Sequence, residues 1–312
     1  MELAICTDVY QNLSYTDMLD RVKGLGIDAV ELCVGGWGAR KHVNTAELMA
    51  DADKRKAFKA ELDKRGMRIS AFNTSCNPTW PTETGRQYAE DMYNTARLAE
   101  LLEVDKIVCM AGLPPGSKDD TTPNWITSTI SWPAFMPDAY NYQWDVTWDF
   151  FKKYADHCKQ HGVRYIAIEE FPGTMVWSAS TLKKLRSETD PIIGMNLDPS
   201  HMFILGADPI AAVRELEGMI FHVHGKDARI ERGLADVDGL LEPRPVTDTK
   251  DRVWNYVAVG CGHDQLWWKE FFSVVRMMGY NGDVSLEMED LTMSVDAGVE
   301  SSVEVLQACL SR

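Results

Sequence analysis

The chain has 312 residues, 45% of them hydrophobic and 25% charged, an ordinary balance for a globular protein that excludes a disordered chain. Its 32 basic residues against 47 acidic ones leave a formal charge of -15, a surface that repels a phosphate backbone, and no basic cluster offsets it; nucleic acid is not an expected partner. No apolar run approaches the ~20 residues of a membrane span, the first residues lack the pattern of a signal peptide, and the seven cysteines lack paired spacing. A protein of the reducing cytoplasm, with no membrane contact, is expected.

In chain order, β-rich runs near 2–6, 28–34, 68–73, 106–112, 164–170, 192–198, 219–225 and 283–289 predict strands. Amphipathic stretches at 14–25, 45–65, 84–103, 146–161, 180–187, 208–216, 267–278 and 295–310 predict helices between and after them. Eight successive strand–helix units predict a (β/α)8 TIM barrel, one domain over 1–312. An open doubly wound sheet has fewer strands and a glycine-rich first turn, and Thr7-Asp8-Val9-Tyr10-Gln11 has no glycine.

Two connections are long, 113–143 and 226–266. Both follow strands and so rise from the rim where a barrel carries its active site. With the shorter connections on that face they hold Trp37, Trp80, Trp125, Trp132, Trp144, Trp177 and Trp254, seven of the ten tryptophans. Singly, each reads as loop packing. Together they offer flat faces for a sugar ring, an aglycone or a partner's surface, and Trp132 is assigned to substrate binding. The Pro- and Trp-rich first loop reads as a fixed wall. A second copy of the chain or a small partner subunit is expected to cover this face.

Side chains alternate along a strand, so the last inward residue of each strand can be read off. In Arg164-Tyr165-Ile166-Ala167-Ile168-Glu169 it is Glu169; in Ile193-Gly194-Met195-Asn196-Leu197-Asp198 it is Asp198. In Phe221-His222-Val223-His224 both imidazoles face inward and both Phe221 and Val223 outward, and Asp283-Val284-Ser285-Leu286-Glu287 ends on an inward Glu287. Taken alone, each acid is a salt bridge or a helix cap. Three acids at one buried rim repel one another unless a cation neutralises them, so Glu169, Asp198, His224 and Glu287 are the expected ligands of one divalent metal. Three carboxylates and an imidazole form a mainly hard set that favours Mn2+, with Mg2+, Co2+ or Zn2+ also compatible. Residues two apart on a strand lie ~6.6 Å apart, too far for His222 and His224 to share one ion comfortably, so His224, level with the acids, is the expected ligand.

These segments resemble the xylose isomerase-like barrel superfamily of sugar-phosphate isomerases and epimerases. The resemblance is carried by Ile168-Glu169-Glu170-Phe171-Pro172-Gly173, Asn196-Leu197-Asp198-Pro199-Ser200-His201, His222-Val223-His224-Gly225-Lys226-Asp227, Gly260-Cys261-Gly262-His263-Asp264 and Ser285-Leu286-Glu287-Met288-Glu289-Asp290. It implies the same four ligands, substrate contacts from His201 and Arg229, and proton transfer by the glutamates. Two departures stand out: Phe171 replaces a histidine of the relatives, and Ser75-Cys76-Asn77-Pro78-Thr79-Trp80 lacks their histidines. The apurinic-site endonucleases share this barrel but need further histidines after the second and third strands, where this chain has Glu31, Cys33, Asn73 and Cys76.

The chemistry implied is proton transfer beside the carbonyl of a small carbohydrate or glycoside, with Glu169, Glu287 and His201 as catalytic residues and the metal stabilising the developing enolate. Returning the proton to the same carbon makes an epimerase; returning it to the next carbon makes an isomerase. Expelling a group makes a lyase, as in the large subunit of a C-glycoside deglycosidase with its small β-sandwich partner. A sugar-binding protein without catalysis is the third reading. No Gly-rich turn with Arg or Lys forms a phosphate clamp.

Overall fold

The computed structural model describes residues 1–38 and 40–311. Its strands are β1 (Glu2–Cys6), β2 (Ala29–Cys33), β3 (Arg68–Thr74), β4 (Lys106–Met110), β5 (Tyr165–Glu169), β6 (Ile193–Leu197), β7 (Ile220–Gly225), β8 (Asp227–Ile230), β9 (Trp254–Val257) and β10 (Asp283–Leu286). The helices are α1 (Tyr15–Gly24), α2 (Thr45–Ala50), α3 (Ala52–Asp63), α4 (Glu83–Leu102), α5 (Met136–Gln160), α6 (Ala179–Glu188), α7 (Pro199–Ile204), α8 (Pro209–Glu215), α9 (Arg232–Asp238), α10 (Gln265–Met277) and α11 (Val295–Cys309). Among the described residues, β1-β10-β7-β6-β5-β4-β3-β2 close into a parallel barrel, and β8 and β9 pair antiparallel outside it. The expected (β/α)8 barrel is the fold.

Alternation sorts the strand residues into two cores. Ile166, Ile168, Ile193, Met195, Leu197 and Val223 are fully buried between the strands and the helices. Ala71, Val108 and Ala167 form a small layer inside the barrel. Phe221 was expected on the outer side, yet it packs against this inner layer. The cause is a register shift: Met195 pairs with Ile220 but Asn196 pairs with His222, so Phe221 is an extra residue in β7 and turns inward. Gly194 makes room for it, because a Cβ there would stand 2.4 Å from the Phe221 ring.

Local chemistry also corrects three element boundaries. The helix expected over 45–65 is broken at Asp51, whose extended backbone (φ -124°, ψ 115°) ends α2 and whose side chain caps α3 by accepting from the amides of Asp53 and Lys54. Helix α5 begins at Met136, ten residues before the expected 146, with Pro137 in its first turn. The connection after β7 holds its own hairpin, β8 and β9, and the helix α9. No helix among the described residues is long and apolar enough to cross a membrane.

The connection after β4 is pinned down. Gln143 donates to the carbonyls of Pro114 (2.7 Å) and Asn124 (2.6 Å), and the Trp80 indole donates to Thr121 (2.6 Å). Trp144, expected in this loop, lies in α5 and is buried.

Candidate metal centre

Glu169 is the last residue of β5, Asp198 follows β6, His224 lies in β7 and Glu287 follows β10. The barrel brings these strand ends to one rim, and one ligand atom from each of the four lies within 4.8 Å of the others. His224 Nδ1 stands 3.3 Å from Glu287 Oε2, 3.7 Å from Asp198 Oδ2 and 3.9 Å from Glu169 Oε1. Asp198 is also the N-cap of α7: its Oδ1 accepts from the amide (2.8 Å) and hydroxyl (2.6 Å) of Ser200. That fixes its rotamer and leaves Oδ2 facing the cluster. Asp198 Oδ2 and His224 Nδ1 are fully buried and make no hydrogen bond. Two orphaned polar atoms beside two further carboxylates match what a divalent cation requires, so the donor set fits a metal.

The charges are arranged to suit. Burial alone would raise Asp198 and Glu287, but His201 and His224 beside Asp198 hold its carboxyl well below the usual range, and Lys226 with His224 holds Glu287 down to about 2. Glu169 goes the other way, raised by burial despite its hydrogen bond from His201. Burial opposes a charge on His224, but Glu31, Asp198 and Glu287 outweigh it and push the imidazole well above its ordinary value.

Behind His224 lies a residue that the strand-end reading did not single out. Glu31, fully buried at a register shift in β2, accepts from His224 Nε2 (3.2 and 3.3 Å), His222 Nε2 (2.8 Å) and Asn73 Nδ2 (2.7 Å). A carboxylate on Nε2 puts the other ring nitrogen, Nδ1, toward the acids. His222 is held to Glu31 at 2.8 Å, and burial lowers it to about 4. Contrary to the expectation from strand spacing, one ligand atom each of Glu31, His222 and His224 lies within 4.8 Å of the others, because both rings turn toward the same carboxylate.

His201 is in α7 rather than on a loop, and its side chain has no exposed surface. Its Nε2 meets Glu169 Oε1 at 3.0 Å, its Nδ1 meets the Tyr256 hydroxyl at 3.0 Å, and the Phe171 ring packs edge-on 4.6 Å away. The histidine thus links the hairpin, through Tyr256, to a cluster carboxylate. Asp227 anchors that hairpin: its Oδ2 accepts from the amides of Gly260, Gly262 and His263, each at 3.0 Å. Gly262 is required for this, since a Cβ would stand 2.3 Å from the Ala228 carbonyl oxygen.

A cavity of about 260 Å³ opens over the cluster, with Glu169, Glu287, Lys226 and Tyr256 on one side and Trp37 and Phe171 in its wall. Three residues expected to touch substrate do not line it: the fully buried His201, which reaches the cavity only through Glu169 and Tyr256, and Arg229 and Trp132. Arg229 is exposed on β8 and pairs with Glu231 at 2.8 Å, because the chain leaves the barrel rim at the hairpin before reaching it. Trp132 is 59% exposed and stacks on Phe135 in the connection after β4. Lys226 and Trp37 line the cavity instead. Lys226 stood in a quoted motif, but nothing in the motif marked it over Arg229. A separate hollow of about 440 Å³ lies along 116–142 and shares no lining residue with this cavity.

The chain is similar over its full length, and over the full length of the relative, to the uncharacterized protein YfiH of Bacillus subtilis (strain 168), at 51% identity. Among solved structures it is similar to the probable 3-DHS dehydratase AsbF involved in petrobactin synthesis from Bacillus anthracis, at 19% identity and TM-score 0.69, covering 98% of this chain and 99% of that one. It is also similar to D-psicose 3-epimerase with D-tagatose from Clostridium cellulolyticum H10, at 14% identity and TM-score 0.65, with both chains fully covered. At these identities the structural likeness establishes the fold. The family model described as xylose isomerase-like TIM barrel matches residues 19–309, nearly the whole barrel, and the chain belongs to that family.

Proposed function

We propose that the protein is a divalent-cation-dependent isomerase or epimerase of a small carbohydrate, working by proton transfer beside a carbonyl. The observation that carries the reading is the meeting of Glu169, Asp198, His224 and Glu287, with two orphaned buried ligand atoms, beside a cavity that Glu169 and Glu287 line. The names of structurally similar proteins support it: one is a D-psicose 3-epimerase solved with D-tagatose, and another is a probable 3-DHS dehydratase. When bound, the cation supplies charge that polarises a carbonyl and its neighbouring hydroxyl; the hard donor set suits Mn2+.

The chain's own groups divide the remaining work. Glu169 and Glu287 both open on the cavity and are the candidates to take and return the proton. Glu169 is the better placed base, because it lines the cavity and the hydrogen bond from His201 fixes its orientation. Trp37 and Phe171 form an apolar wall suited to one face of a sugar ring and keep water from the reacting carbon.

The test is metal analysis of the purified protein followed by an NMR screen for deuterium uptake from D2O into a panel of ketoses. One divalent ion per chain and exchange at one carbon are expected, with metal and exchange both lost in the Glu169→Ala, Asp198→Ala double variant. Full metal occupancy in that variant would sink the ligand assignment. A metal-loaded wild type that exchanges no ketose proton would sink the reaction.

A further inference from the structure

Lys226 lies two residues past His224, where β7 hands over to the hairpin. Its side chain is 3% exposed, and its Nζ is 2.9 Å from Glu287 Oε2 and 2.8 Å from Glu289 Oε2. The Tyr256 ring lies against it, 4.5 Å from Nζ to the centroid. Two carboxylates and an aromatic face hold a buried ammonium in one position. Among the described residues lining the cavity it is the sole basic side chain, facing Asp8, Glu169, Glu287 and Glu289. An ammonium has three donors and the glutamates take two, which leaves one for a group entering the cavity.

We propose that Lys226 is a catalytic residue that donates a hydrogen bond to the substrate oxygen on which negative charge develops. The proposal rests on the proton-transfer reading above. As a glutamate takes the proton, the C–H electron pair becomes a C=C bond and the carbonyl π pair moves onto oxygen. Return of the proton to the same carbon reverses both shifts and gives the epimer, whereas its return to the carbonyl carbon gives the isomer, the hydroxyl proton of the deprotonated carbon passing to the charged oxygen. A cation already fixed beside that oxygen stabilises the charge without reorganising during the step. The glutamates and Tyr256 provide that fixation, and Glu287 places the ammonium next to the cluster.

The experiment compares metal-replete wild type with Lys226→Met and Lys226→Arg, with metal content and thermal midpoint measured on each. Calorimetry reads the binding of threonohydroxamate, a planar acidic mimic of the enediolate, against xylitol, a neutral polyol. Lys226→Met is expected to lower the preference for the hydroxamate about tenfold or more and to lower kcat for deuterium exchange, with metal content and xylitol binding unchanged. Lys226→Arg should restore most of the preference. If Lys226→Met does not fold, Lys226→Gln, which keeps a polar but uncharged side chain beside the glutamates, carries the same comparison. Unchanged hydroxamate preference and kcat in the uncharged variant would overturn the role of Lys226 alone. A metal-loaded wild type that neither exchanges a ketose proton nor prefers the hydroxamate would overturn the proton-transfer reading, and this role with it.

Discussion

Removing the charge of Glu31 tests how the metal site is built, because this residue does not itself line the cavity and meets the cluster at His224. In Glu31→Gln the amide oxygen can still accept one hydrogen bond, but the carboxylate that receives His224 Nε2 at 3.2 and 3.3 Å is gone. A hydrogen bond to a charged group contributes about 1.5–3 kcal/mol. Both contacts are longer than the 2.7–2.9 Å of the strongest charge-assisted bonds, which places the loss near the lower end of that range. A loss of about 1.4 kcal/mol is tenfold in affinity, the lower end of the ~10–100-fold found when partners of metal-bound histidines are removed. Mn2+ or Zn2+ affinity would be read by competition with a fluorescent chelator, and the melting midpoint of the metal-free protein by calorimetry. The expected result is metal affinity weakened about tenfold with the metal-free midpoint within a few degrees of wild type, since replacing a buried carboxylate with an amide also removes a desolvation cost. Wild-type metal affinity in Glu31→Gln would refute the reasoning.

Two further outcomes follow from the placement of other side chains. Trp37→Ala should raise KM about fivefold, the loss of one aromatic face, while Arg229→Ala and Trp132→Ala leave KM and kcat near wild type; a larger effect from Arg229→Ala than from Trp37→Ala in steady-state kinetics would contradict their positions. At the opposite end of the barrel, Asp283 is mostly buried and receives the Arg68 guanidinium at 2.7 Å; burial raises its carboxyl, but Arg68 outweighs this and holds it below the ordinary range. A depressed carboxyl stabilises the fold fully above its unfolded value of about 4, and that contribution fades as pH falls through the folded value. Asp283→Asn should therefore cost about 1 kcal/mol near pH 7, discounted for the half-exposed arginine, and the gap should close below about pH 4 in urea melts; a gap that persists at low pH would mean the loss is not electrostatic.

The repeating architecture and the four cluster residues were legible in the amino-acid order, because both depend on short-range periodicity. Strands such as Ile193–Leu197 alternate every second residue, helices such as Val295–Cys309 carry an apolar stripe, and in a closed parallel barrel every strand's last inward residue arrives at the same rim. Parity along one strand was therefore enough to bring Glu169, Asp198, His224 and Glu287 together. It failed where the count of residues slips or the chain leaves the strand. The extra residue in β7 turned Phe221 inward, and Asp51, a cap at both ends, split one expected helix into two. Glu31 reads as a single acid in Ala29–Cys33, and only its approach to His222 and His224, 191 and 193 residues away in the chain, gives it a partner. The choice of Lys226 over Arg229 belongs to the same class. Both are cations just past the same strand, but the hairpin begins between them, buries one against Glu287 and turns the other to solvent; that outcome depends on strand pairing between 227–230 and 254–257, which no local pattern encodes.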